Sequence, residues 1–282
     1  MRIVITGASG QLGKDILETC RKRGHLVTTY GSHSLDITQY EDVIRKIQEK
    51  KPDIIINCAA YNAVDQAETD WEKAFSVNGL GPKYLAIAAS AVNAILIHYS
   101  TDYIFSGTAR YPYTLDKCPT PISRYGESKL LGEQMVMRHS TKYFLIRVSW
   151  VFGSGNINFV KKVLEWSDNN NQIVVVDDQV SSPTYTQDLA RATMDIVNSK
   201  QFGLYHITNT GYCSRFEWAK YILNLIGWTG TLNPGKSDDF KTPATRPKFS
   251  VLDNFGTKQT IGYDLPHWQD ATERFLKEIE RI

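Results

Sequence analysis

The chain opens on RIVITGASGQLG, and this run restricts the fold more than any other. Arg2–Thr6 is a β-branched apolar stretch with the composition of a core strand. Glycines follow at Gly7, Gly10 and Gly13, and an amphipathic run begins at Gln11. In such a strand–loop–helix unit, Gly7 permits the tight turn. Gly10 lets backbone approach a diphosphate, and Gly13 lets helix and strand pack closely. The unpaired amides and dipole of the helix N-terminus then favour an anion. The unit therefore predicts a dinucleotide site.

The rest of the first half repeats the alternation. His25–Tyr30, Asp53–Asn57, Ala94–Ser100 and Tyr143–Val148 are near-continuous in Ile, Val and Leu, as strands covered on both faces should be. Helical runs lie near Gln11–Arg23, Tyr40–Lys50, Glu72–Val92 and Arg124–His139. Capping boxes are expected at Thr38/Glu41, Thr69/Glu72, Thr184/Gln187 and Ser214/Glu217. This pattern predicts an α/β fold, a doubly wound parallel sheet of Rossmann type with a smaller C-terminal substrate lobe. The dinucleotide domain is expected over 1–152 and the substrate lobe mainly over 153–282. About 172–198 are expected to return to the main sheet.

A formal net charge of +2 without a basic run excludes a dedicated nucleic-acid or acidic-membrane binder. No apolar stretch approaches the roughly 20 residues that span a bilayer. A core strand directly after Met1 argues against a signal peptide. Cys20, Cys58, Cys118 and Cys213 have neither metal-ligand spacing nor disulfide density, which suits a reducing cytoplasm. Cys58 reads as a small core residue. No metal site is expected.

The second strand ends in TTYGSHS, which carries neither the acid that usually binds a ribose nor an arginine for a 2′-phosphate. The lean is to NADPH, with NADH open. Asp36 and Ile37, in LDIT, either flank the adenine or serve a turn.

Chemistry is expected where HYSTDYIFSG ends the fourth long strand, because ligands of open parallel sheets bind beyond the strands' carboxyl ends. This places Ser100, Thr101, Asp102 and Tyr103 at the site. Downstream, ISRYGESKLLGE sets Tyr125 and Lys129 four apart, on one helix face. A free phenol has a pKa of about 10. The expectation is that the ammonium lowers it, so that Tyr125 protonates a substrate oxygen while a nicotinamide delivers a hydride. Thr101 would bond the same oxygen, and Lys129 the cofactor ribose. His98, inside a strand, reads as a satisfied core histidine. Asp65 and Glu68 read as solvated or paired helix-start charges.

Together these features resemble the extended short-chain dehydrogenase/reductase superfamily, and within it the dTDP-4-dehydrorhamnose reductase family. The resemblance runs through TGASGQLG, LDIT, KPDIIINCAAYNAVDQAE, STDYIFSG, YGESKLLGE, RVSWVFG, DDQVSSPT, YHITNTGYCS and RPKFSVLD. It implies reduction of the 4-keto group of dTDP-6-deoxy-L-lyxo-4-hexulose to dTDP-L-rhamnose by NADPH or NADH. It implies Thr101, Tyr125 and Lys129 as the catalytic set, and a diphosphate at Gly10, Gln11 and Leu12. Asp36, Ile37, Ala60, Tyr61 and Asn62 would line the cofactor, and Thr101, Asp102 and Trp150 would touch the sugar nucleotide. Trp150 follows a strand, where its face would suit a sugar or nicotinamide or else pack the lobe. Arg246 would meet the diphosphate or pair with a carboxylate. Related enzymes imply a homodimer and, in some, Mg2+ at the interface.

The sequence departs from the family pattern at four positions. Ser181 replaces a glycine, Arg215 an aromatic, and Val148 and Asn62 each a threonine. A nucleotide-sugar dehydratase would need Thr-Asp-Glu where this chain has Thr101-Asp102-Tyr103. A nucleotide-sugar epimerase and a non-catalytic nucleotide-binding regulatory subunit are the competing readings.

Overall fold

The computed structural model describes residues 1–155 and 157–282. The first half runs β1 (Arg2–Thr6), α1 (Gln11–Lys22), β2 (Leu26–Tyr30), α2 (Tyr40–Lys50), β3 (Ile54–Asn57), α3 (Trp71–Phe75), α4 (Gly81–Ala91), β4 (Ile95–Thr101), α5 (Arg124–His139) and β5 (Tyr143–Val148). The second half adds β6 (Val151–Phe152), α6 (Phe159–Asn169), β7 (Gln172–Val176), β8 (Val180–Ser181), β9 (Thr184–Tyr185), α7 (Thr186–Ser199) and β10 (Gly203–His206). It ends with β11 (Cys213–Ser214), α8 (Arg215–Leu225), β12 (Thr231–Gly235), α9 (Phe255–Ile261) and α10 (Trp268–Glu278).

Six parallel strands form the main sheet in the order β10-β5-β4-β3-β1-β2. The chain moves one way from β1 to β2 and the other way to β3, so a crevice opens at the carboxyl ends beside β1. Isoleucines of β1 and β3 are sealed on both faces of the sheet, one set with α1 and α7 and the other with α2 and α4.

The second lobe has its own aromatic core around Trp218, Phe152, Tyr185 and Phe275. Trp218 is fully buried, and its indole N–H donates to Thr272 Oγ1 at 3.1 Å. The expected return of 172–198 to the main sheet is corrected here. β7 pairs with β12 within the lobe, and α7 and β10 are the elements that rejoin the sheet. β7 buries Ile173 and Val175 but leaves Val174 half exposed. A strand apolar on one face cannot fill a slot covered on both.

Of the four expected capping boxes, only Ser214/Glu217 forms, with both reciprocal bonds present. The Thr38 hydroxyl donates to Asp36 at 2.8 Å, that of Thr69 to the Gln66 carbonyl, and that of Thr184 to the Ser182 carbonyl. In each case the N-cap falls one residue later, at Gln39, Asp70 and Tyr185, and the hydroxyl serves a local acceptor instead of capping the helix. The run expected as one helix over Glu72–Val92 is α3 and α4 joined by a π-helical turn at Ser76–Leu80. That turn carries Asn78, whose side chain bonds both backbone groups of Tyr61 and the Ser128 hydroxyl. The π turn thus ties the loop after β3 to α5.

Candidate active site

The glycine loop forms one wall of a cavity of about 360 Å³. Gly7 has φ +66°, and a Cβ there would sit 2.4 Å from the Ala59 amide nitrogen. A Cβ on Gly13 would sit 2.4 Å from the Gly7 carbonyl oxygen. Gly10 flanks α1 with no side-chain cap, and no acid occupies the first turn. The first amides of α1 are therefore left to an anion, and Gly10, Gln11, Leu12 and Gly13 all line the cavity. Gln11 also reaches across, donating to the Val151 carbonyl at 3.2 Å.

The facing wall comes from the end of β4 and the start of α5. Ser100, Thr101, Asp102, Tyr103, Tyr125 and Lys129 all line the same cavity. α5 begins at the loop because Ser123 caps it, accepting from the Gly126 amide at 3.2 Å. Glu68 accepts from the Arg124 amide at 3.0 Å, a carboxylate at a helix start where the dipole favours it. One turn beyond Lys129, Glu133 grips Arg147 of β5 through two bonds of 2.9 and 2.8 Å, both groups buried. This forked pair fixes α5 against the sheet.

The Ser100 hydroxyl is buried and has no hydrogen-bond partner among the described residues. Thr101 Oγ1 lies 3.1 Å from Asp102 and accepts from the Tyr103 amide. The Tyr125 hydroxyl faces Asn62 Oδ1 at 3.5 Å. Lys129 Nζ donates to the Tyr99 carbonyl at 2.6 Å.

The electrostatics differ from the expectation at Tyr125. Burial raises the phenol above its ordinary value, and the nearby Thr101 hydroxyl opposes this only in part. The ammonium that was expected to lower it is spent on a backbone carbonyl. Burial brings Lys129 down to about 8, with Glu133 pulling the other way. Burial lifts the Asp102 carboxyl to about 6, against the pull of Ser250 and Thr101. At neutral pH the site thus holds a protonated phenol beside a mainly charged ammonium.

The second lobe closes the site. Trp150 sits at φ +42°, a backbone region that an indole-bearing residue rarely adopts, in the two-residue link between β5 and β6. Its ring stacks on Trp218 with 5.8 Å between centroids. A second cavity, about 790 Å³, opens toward the lobe. Asn62, Val64, Tyr103, Ile157 and Arg215 line both cavities, so the two form one cleft.

Comparison with known proteins agrees with this geometry. The family model described as RmlD substrate binding domain matches residues 1–281. A dTDP-4-dehydrorhamnose reductase of Streptomyces griseus is 38% identical over 283 aligned positions, covering 97% of this chain and 93% of that protein. A crystal structure of a dTDP-4-dehydrorhamnose reductase from Clostridium acetobutylicum superposes with a TM-score of 0.97 at 38% identity, covering 99% and 100% of the two chains. A Bacillus anthracis dTDP-4-dehydrorhamnose reductase in complex with NADP gives 0.95 at 38% identity, over 98% and 99%.

The chain belongs to the dTDP-4-dehydrorhamnose reductase family.

Within this family frame, the residues expected from sequence fall into two groups. Ala60, Asn62 and Trp150 line the first cavity with the glycine loop and the β4–α5 residues. Arg246 lines the second, ion-paired with Asp65 at 2.6 Å. Asp36, Ile37 and Tyr61 are not in the cavity wall. Asp36 closes a turn on the Thr38 amide and hydroxyl, Ile37 is buried against the α2–α4 face, and the Tyr61 hydroxyl turns to Asp70. His98 is a buried core residue, but not the satisfied one expected: Nδ1 lies 3.0 Å from Asn57 Nδ2, and Nε2 has no partner among the described residues. Cys58 is half-buried and lines the cavity, where the sequence suggested only core.

The departures from the family pattern cluster at the cleft. Val148, Asn62 and Arg215 line it. Ser181 lies behind it, its hydroxyl 3.3 Å from Asp102 and 2.6 Å from Ser149. Sequence reasoning missed Ser250, which donates to Asp102 at 2.5 Å from a distant segment. No periodicity could have linked the two. Among the described residues, no group of three or more His, Cys, Asp or Glu side chains could hold a metal ion. No helix among the described residues is long and apolar enough to cross a membrane.

Proposed function

We propose that the protein reduces the 4-keto group of dTDP-6-deoxy-L-lyxo-4-hexulose to dTDP-L-rhamnose, with NADPH or NADH as reductant. The observation that carries this reading is that Thr101, Tyr125 and Lys129 line one cavity with the uncapped first turn of α1. The cleft fits a dinucleotide. Gly7 and Gly13 stand where a Cβ would strike backbone, and Gly10 keeps the helix start open. The orphaned Ser100 hydroxyl offers a buried polar atom to a ligand.

The residues divide the work as follows. Gly10 to Gly13 hold the diphosphate, and Ala60 and Asn62 border the rest of the dinucleotide. The bound cofactor supplies a hydride to the carbonyl carbon. Tyr125 gives its phenolic proton to the carbonyl oxygen, so that C=O becomes CH–OH and the tyrosine is left as phenolate. The raised phenol value in the resting site keeps that proton in place until the reaction needs it. Lys129 stands one turn away on α5, and its positive charge favours the phenolate as it forms. Thr101 and Asp102 hold the sugar, and Trp150 offers it an aromatic face. The reading includes a cytoplasmic location, where four unpaired cysteines stay thiols, and a homodimer.

The test is absorbance at the reduced-nicotinamide band with dTDP-6-deoxy-L-lyxo-4-hexulose and either NADPH or NADH, followed by product analysis. Cofactor loss equimolar with dTDP-L-rhamnose is expected. An isomer of the substrate formed without cofactor loss would identify an epimerase instead.

A further inference from the structure

Arg215 opens α8 directly behind its Ser214 cap. Its guanidinium carbon lies 3.6 Å from the Trp150 ring centroid and 4.6 Å from that of Phe159. Its backbone amide donates to the Gln179 carbonyl, but among the described residues its guanidinium makes no hydrogen bond and no ion pair. Arg246 and Lys248 of the cleft's outer part have acids beside them, Asp65 at 2.6 Å and Asp178 at 3.7 Å, while Lys162 and Lys241 line only the outer cavity and do not reach the inner one. The nearest buried acid, Asp102, spends its oxygens on Ser250, Ser181 and Thr101.

Burial lowers Arg215 to about 10, which leaves it charged at neutral pH. A desolvated cation without a counterion is costly. The cost makes sense where an anion arrives with the ligand. Aromatic stacking holds the guanidinium plane and leaves its N–H edge free to fork onto two oxygens.

Position selects the anion. Among the described residues, Arg215 is the one cation lining both cavities. Tyr125 and Lys129 mark the reducing end in the first cavity, and the larger second cavity has room for a nucleoside. In a nucleoside diphosphate sugar, the group between those two parts is the diphosphate. We propose that Arg215, clamped between Trp150 and Phe159, binds the diphosphate of the sugar-nucleotide substrate. The inference rests on the proposed function for the substrate class, and it assigns a seat that a neutral aromatic at the same position could not provide.

Calorimetric titration of native protein, Arg215→Met and Arg215→Lys tests this, with dTDP, UDP, GDP and thymidine as probes. Arg215→Met should weaken the preferred nucleoside diphosphate about 30-fold, the size of a lost charge-assisted contact. Thymidine affinity, NADPH affinity and the unfolding midpoint should stay at native values. Arg215→Lys should lose less, since it keeps charge but not the fork. In turnover, Arg215→Met should raise the sugar-nucleotide KM by a similar factor with kcat within about threefold, the signature of lost uniform binding. Native-like diphosphate affinity in Arg215→Met would overturn the inference. So would an equal loss for thymidine, which would mark a packing role. If native protein prefers UDP or GDP with the same Arg215 dependence, the seat stands and only the thymidine assignment falls. If native protein binds none of the three diphosphates, both the seat and the proposed function fall.

Discussion

Lys129 donates its ammonium to the carbonyl of Tyr99 at 2.6 Å, across from α5 to the end of β4. Ser100 and Thr101 are the next two residues of that strand. One bond therefore registers the helix that carries Tyr125 against the strand that carries Thr101. The ammonium is placed by a backbone carbonyl rather than by the phenol, so the phenol rests protonated under the control of burial. That is the starting form an acid needs.

Tyr125→Phe removes the hydroxyl proposed as the proton source, together with its long contact to Asn62, and leaves the ring in place. Turnover is expected to fall by about 10²–10⁴-fold, the usual share of a positioned general acid. NADPH affinity, read by quenching of protein fluorescence, should stay within about twofold of native. Full activity in this variant would remove Tyr125 from the chemistry.

Lys129→Met tests the buried ammonium through stability. The native lysine has a folded value of about 8 against an ordinary 10.5. Between those values the unfolded chain holds a proton that the folded chain has released. Native stability therefore gains from this residue as pH rises through that window, while below about 8 the folded state bears the full cost of the buried charge. Urea unfolding of native and Lys129→Met at pH 7 and pH 9.5 should show native gaining about 2 kcal/mol on the variant. A difference independent of pH would mean that the ammonium is not desolvated. The variant should also lose turnover.

Much of this site was legible because its pieces are local. Gly7, Gly10 and Gly13 announce themselves by spacing, and Tyr125 and Lys129 by a helical interval. Thr101 is found by counting to a strand end. What stayed hidden depends on distant segments meeting. Ser250 and Ser181 reach Asp102 from different loops, and Arg215 reaches Trp150 from a helix of the other lobe. Three of the four expected caps failed because a pattern of residue types does not fix the first residue of a helix to within one position. The expected return to the main sheet failed at β7, where a continuous apolar run concealed a strand with one exposed face.

Gly7→Ala separates steric need from backbone strain. Both Gly7 and Gly24 sit at positive φ, +66° and +73°. A Cβ at Gly24 meets nothing within 4 Å, so Gly24→Ala should cost only the left-handed strain, about 1–2 kcal/mol. A Cβ at Gly7 meets backbone of Cys58 and Ala59 at 2.4 to 2.7 Å, which cannot swing aside. Gly7→Ala should cost more than about 3 kcal/mol in urea unfolding and abolish NADPH binding. Gly24→Ala should bind NADPH as native does. Equal costs at the two positions would refute close approach of β3 as the reason for Gly7.

Asp102 supplies the opposite pH signature. Its carboxyl, buried and bonded by Ser250 and Ser181, has a folded value of about 6 against an ordinary 3.8. Between those values the folded protein binds a proton that the unfolded chain has lost, so native stability falls as pH rises from about 4 to 6. Above 6 the whole cost of a buried carboxylate is present. Asp102→Asn keeps the shape without the charge and should gain about 2 kcal/mol on native between pH 4.5 and pH 7.5. Ser181→Gly deletes one hydroxyl that holds the carboxylate, so it should move the titration further up and steepen the native decline. Ser149 keeps its bond to the Ser182 carbonyl, at 2.8 Å, which limits the packing cost of that change. Unfolding curves for the three proteins across this range decide the matter. Parallel pH profiles for native protein and Asp102→Asn would show that Asp102 is ionised at little cost, and would place its role in the cleft on geometry alone.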